Sequence, residues 1–216
     1  MKKHRLLLFS LPVFLLYLVT VPTREHEILV QLTYSLLVPA SCLLATWKYA
    51  PRECKSLLER TRPDGYSNVE FLSLIAIVVL FWLSSIVIYS VLFAALETAS
   101  SEPQRLTSPV QSGVSTIAYF VFLSICAGFF EEFYFRGVLG ESIAGSGGSF
   151  RKLLYVVISA ALFGLEHRTG GLAQLGASVY VGIGSALFYL RLRSIWPLVV
   201  AHIVTDFLLV ALSTSE

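Results

Sequence analysis

The sequence predicts an all-α fold, a polytopic transmembrane bundle of about seven helices, and three observations predict it. Of its 216 residues 56% are hydrophobic and only 14% charged, whereas soluble domains carry about a quarter charged residues. The apolar residues come in long blocks, each able to cross about 30 Å of hydrocarbon as a helix. No ten-residue alternating segments of the kind that build membrane β-barrels appear.

The blocks fall at 6–22, 28–47, 69–96, 112–140, 152–167, 171–190 and 195–213. The first has the basic start of a signal peptide, but Val21-Pro22-Thr23-Arg24-Glu25 lacks a small-x-small cleavage pattern, so an uncleaved anchor is expected. Between the second and third blocks lies a basic loop, 48–68, with Pro51, Pro63, Asp64 and Gly65, suited to an anionic leaflet. It divides a two-helix N-terminal segment, 1–68, from a membrane-embedded core, 69–216. From Phe71 to Ala95 the third block is interrupted only by small hydroxyl residues, Ser73, Ser84, Ser85 and Ser90, which suit helix packing. A polar loop, 97–110, follows it, and Gly145-Ser146-Gly147-Gly148-Ser149 reads as a flexible connector after the fourth block.

Charge placement orients the bundle. With a cytoplasmic N-terminus, the inside segments hold Lys2, Lys3, Arg5, Lys48, Arg52, Lys55, Arg60, Arg62, Arg151, Lys152, Arg191 and Arg193, against Arg24, Arg105 and Arg168 outside. This is a positive-inside pattern. The net charge of +2 is therefore read as topology, and no basic stripe with interleaved aromatics points to nucleic acid. The style of the chain, small and without a soluble domain, suggests a bacterial or archaeal inner membrane. Cys42, Cys54 and Cys126 are isolated, offering neither a disulfide framework nor a zinc site.

Charged groups inside hydrocarbon cost roughly 2.5–3.5 kcal/mol each at a helix centre, so a sequence that retains them has a use for them. Here they form three clusters: Glu131-Glu132-Phe133-Tyr134-Phe135-Arg136, Phe163-Gly164-Leu165-Glu166-His167, and His202-Ile203-Val204-Thr205-Asp206. Helical spacing puts Glu132 and Arg136 on one face as an ion pair, while Glu131 points elsewhere. Glu132 is thus the structural candidate and Glu131 the chemical one. His202 and Asp206, also four apart, can face one cavity. Glu131 lies nine residues before Gly140 and His202 nine after Arg193. Both therefore sit about 13 Å from the same boundary. A straight fifth helix would carry His167 about 22 Å in, deeper than either.

Glu131-Glu132-x-x-x-Arg136, Phe163-x-x-x-His167 and His202-x-x-x-Asp206 resemble the three motifs of the CAAX prenyl endopeptidase and bacteriocin-processing family. That family includes the type II CAAX prenyl endopeptidases, glutamate-dependent intramembrane proteases. The resemblance covers roughly 112–213. It implies a conical, water-filled cavity among the C-terminal helices and metal-free hydrolysis of a peptide bond, in a peptide or membrane-associated substrate. Glu131 would activate water with the help of His167, and His202 with Asp206 would steady the oxyanion. Glu132, Arg136 and Phe163 would support the motifs.

Where prenyl endopeptidases often carry Asn, this chain has Asp206, which accepts but does not donate when ionised. It would hold His202 as the donor, and the departure leaves open whether the substrate is prenylated. Two histidines and a carboxylate also make a zinc set, though no HExxH is present. Two other readings use the same residues: a non-catalytic binding or immunity protein, and a proton-coupled transporter.

Overall fold

The computed structural model describes residues 40, 43–44, 47–48, 51–63, 65–96 and 114–213. The first expected helix, most of the second, and the loop 97–110 lie outside the described residues. All regular structure among the described residues is helical. The α-helices are α1 (Pro51–Glu59), α2 (Asn68–Leu96), α3 (Val114–Glu131), α4 (Ser149–Glu166), α5 (Gly171–Leu192) and α6 (Trp196–Ser213). Five of the expected spans thus begin within three residues of their predicted starts, and α4, the shortest of the blocks, is a full 18-residue helix.

Two expectations are corrected. The basic loop contains a helix, α1, whose one face is apolar. Cys54 and Leu57 on that face are buried, while Lys55 and Glu59 pair at 3.5 Å in solvent. A segment with such a face gains more by folding against the bundle than by remaining extended. The fourth block is not one α-helix either. After Glu131 the chain continues as π-helical turns, Glu132–Val138 and Gly140–Ala144. There Leu139 N–H reaches the carbonyl of Tyr134, five residues back.

α2 and α5 are long and apolar enough to cross a membrane, and α6 carries a shorter apolar run, Trp196–Leu209. α2 turns Val69, Leu72, Ile77, Leu80, Val87 and Val91 outward, and α4 and α5 do the same with Leu153, Val157, Leu172 and Leu187. Soluble monomers rarely expose apolar surface on this scale, so lipid is the medium that fits it. The protein is an integral membrane protein.

Inside the bundle, α2 packs on α5 and α6, α3 on α6, and α4 on α5. The α3–α6 contact depends on Gly128. A Cβ there would lie 2.6 Å from Ile203 Cγ1 and 3.3 Å from Ile203 N, so only glycine lets the two backbones approach this closely.

At one end of the bundle Glu141 collects its partners. Its Oε1 accepts from Tyr189 OH at 2.9 Å and lies 3.2 Å from Arg60 and 3.5 Å from Arg193. Arg193 closes α5 in the left-handed region at φ 55°, which folds its guanidinium back to donate to the carbonyl of Gly145 at 2.6 Å. The glycine-rich connector is consequently a pinned turn, with Gly147 N–H also bonded to Ala144 O. α1 is tied to the same end. Ser194 Oγ donates to Arg60 O at 2.6 Å, and Trp196 Nε1 donates to Leu58 O at 3.0 Å.

Candidate active site

Glu131 and Glu132 straddle the junction where α3 becomes π-helical. Such a junction changes the angular step between neighbouring residues and is frequent at functional sites. The two carboxylates diverge, as their spacing requires, but onto opposite edges of one ring. Glu132 Oε1 lies 3.2 Å from His202 Nδ1, and Glu131 Oε2 lies 3.8 Å from His202 Nε2. Asp206, one turn further along α6, places Oδ2 3.5 Å from the same Nε2.

Exposure divides the cluster. Glu132 and Arg136 are fully buried and His202 nearly so, whereas the Glu131 and Asp206 side chains are 18% and 30% exposed. The Glu131 oxygen that faces His202, Oε2, is itself buried.

Behind Glu132 stands Arg136, its Nε 3.1 Å from Glu132 Oε2. The contact is an ion pair whose N–H is not aimed along a hydrogen bond. The guanidinium lies 4.5 Å from the centroid of Phe163 and 5.6 Å from that of Phe135. Its Nη1 and Nη2 meet no hydrogen-bond partner among the described residues. The pair and the aromatic face offset the burial of this charge. Ser159 Oγ, from α4, donates to Phe135 O at 3.3 Å and ties the π-helical turn to its neighbour.

Phe163 links the second cluster to the first. Its ring lies 4.8 Å from that of His167 and 6.3 Å from that of His202. His167 ends α4, and its Nδ1 lies 2.9 Å from Phe163 O. A carbonyl only accepts, so Nδ1 carries the hydrogen and Nε2 keeps its lone pair. Among the described residues no hydrogen bond or ion pair joins His167 to Glu131 or His202; it stands one aromatic ring away.

Sequence reasoning missed Trp82. Its indole lies 4.3 Å from the His202 ring at a tilt of 33°, and meets Phe163 edge-on at 6.3 Å. It sits in the third hydrophobic block with no polar neighbour to mark it, so nothing local in the sequence distinguishes it from a lipid-facing tryptophan.

Residues 112–208 match the family model Rce1-like, type II CAAX prenyl endopeptidase. The family resemblance carried by the three motifs is borne out over that stretch, which contains all seven residues singled out in them. No curated protein and no solved structure gives a match. Over that stretch the chain is similar to the CAAX-protease type of membrane peptidase. Among the described residues no group of three or more His, Cys, Asp or Glu side chains is arranged to hold a metal ion.

Proposed function

We propose that this protein is an intramembrane endopeptidase that hydrolyses a peptide bond with a water activated by Glu131, without a metal. The observation that carries the reading is the bracketing of His202, with Glu132 on Nδ1 and both Glu131 and Asp206 facing Nε2. At 3.5 and 3.8 Å, the Nε2 contacts are longer than hydrogen bonds. An N–H there remains free to donate to a third atom between the two carboxylates.

In the proposed reaction Glu131 takes a proton from water as its oxygen attacks the scissile carbonyl carbon. The carbonyl oxygen becomes an oxyanion and receives the hydrogen bond of His202 Nε2–H, with Asp206 and Glu132 fixing the imidazole from either side. Collapse breaks the C–N bond, and the proton held by Glu131 passes to the leaving amine. His167, with the lone pair of Nε2 free, assists in holding the water. Glu132 and Arg136 are positioning residues.

The reading requires an aqueous cavity opening on the Glu131–Asp206 side, and the partial exposure of those two side chains supports it. The substrate is a peptide or a membrane-associated protein, prenylated or not. In this reading the catalytic core spans 69–216 and the N-terminus is cytoplasmic. Gathering of Arg60, Arg193 and Arg151 near Glu141 and Ser142 supports one basic face.

The test uses purified wild type and Glu131→Ala in detergent, each incubated with a quenched prenyl-CAAX peptide and with a pool of membrane-derived peptides, with and without chelator. Cleavage that survives chelator and vanishes in the variant is expected. Loss on chelation would restore the zinc reading. If wild type cuts nothing while a partner co-purifies equally with both forms, a binding role replaces the protease.

A further inference from the structure

The structure assigns to Trp82, outside the stretch that matches the family, the role of a positioning residue for His202. This rests on the proposed reaction, in which His202 must present Nε2 to an oxyanion.

Glu132 bonds His202 at Nδ1, while Glu131 and Asp206 lie 3.8 and 3.5 Å from Nε2, beyond hydrogen-bond length. A single bond at Nδ1 fixes where that nitrogen points but does little to stop the ring tipping about the bond. Control of tipping needs a surface against the ring face. Trp82, 4% exposed and on α2, supplies one, its ring 4.3 Å from the imidazole and tilted by 33°. Phe163 closes a second side, edge-on to both rings at 6.3 Å. The indole and Phe163 thus form a corner into which the imidazole fits.

Stacking of this kind is favourable for a neutral ring and stronger for a charged one. It therefore suits a group that gains hydrogen-bonding work during reaction. The indole Nε1 meets no hydrogen-bond partner among the described residues, so the face of the ring, not its N–H, is the part with an evident use. α2 consequently completes a site whose charged groups all lie on α3, the π-helical turn after it, and α6.

The face and the N–H are separable. Trp82→Phe retains an aromatic face, and Trp82→Leu removes it. On a peptide that wild type cleaves, Trp82→Phe is expected to keep kcat within about threefold. Trp82→Leu is expected to lower it about tenfold to a hundredfold with KM within about twofold, the size of effect that misplacement of a reacting group produces. In nuclear magnetic resonance spectra of full-length protein labelled at histidine, with the His202 signals identified by their loss in His202→Gln, Trp82→Leu should shift or broaden those signals and Trp82→Phe much less.

Should Trp82→Leu fail to fold, the emission assigned to Trp82 by difference from Trp82→Phe provides a further arm. Imidazole quenches stacked indole, so that emission should rise in His202→Gln. Unchanged kcat and His202 signals in Trp82→Leu would overturn the assignment. Equal losses in Trp82→Phe and Trp82→Leu would do the same, pointing to the N–H. So would unaltered emission in His202→Gln. If wild type cleaves nothing, the proposed reaction falls, and the spectra still decide whether Trp82 orients the ring.

Discussion

Replacing Arg136 by methionine removes the guanidinium and leaves Glu132 buried beside His202. The side chains of this ion pair are both fully buried, 3.1 Å apart, and no solvent can replace the lost partner. Truncating one member of such a pair costs about 3–5 kcal/mol, since the remaining charge is stranded. The contact of Arg136 with Phe163 at 4.5 Å adds to the loss. For a chain of this size the combined loss corresponds to a fall of about 10 °C in the unfolding midpoint, readable in detergent by intrinsic fluorescence.

The double variant Glu132→Gln/Arg136→Met separates pairing from packing. With no stranded carboxylate it should recover at least half of the loss, a coupling of about 2 kcal/mol. Activity should stay low in both variants, because Glu132, which receives His202 Nδ1, loses its ion-pair partner in the first and its carboxylate in the second. Simple additivity of the two single substitutions would refute the argument, showing that Glu132 and Arg136 do not depend on each other.

Two other predictions concern the scaffold. Gly128→Ala sets a methyl group against Ile203 and 3.5 Å from His202 Cβ; parting α3 from α6 should lower kcat about tenfold or more, and an unaffected kcat would show that the approach is not needed. On α1, burial pushes the Cys54 thiol up to about 11. The folded state then holds that proton to higher pH than the unfolded chain, so this contribution to stability is complete below the ordinary thiol value and is lost as pH rises towards about 11. Cys54→Ala should flatten the alkaline decline in a melting-temperature profile, and an unchanged profile would count against burial as the cause.

Much of the bundle was legible because membrane helices announce themselves by length and hydropathy, as the starts of α2, α4, α5 and α6 show. α1 was hidden by its charges: Arg52, Lys55 and Arg60 read as a solvated loop, while Cys54 and Leu57 carry too little apolar signal alone. The π-helical continuation after Glu131 was equally invisible, because the pattern of apolar residues in 112–140 fits an unbroken helix. Equal depth placed Glu131 and His202 together, and they lie 3.8 Å apart. Depth did not place His167, since a residue ending a helix takes its position from the turn that follows and from Phe163. Trp82 needed the tertiary packing of α2 on α6, which no spacing rule supplies.

The central claim is that the Glu131 carboxylate activates water, and Glu131→Gln tests it most directly because it keeps shape and removes the base. Single-turnover cleavage by the variant would be compared with wild type, alongside unfolding midpoints. The account predicts a loss of about 10²–10⁴-fold in rate with little change in midpoint. A rate within tenfold of wild type in a normally folded variant would contradict it.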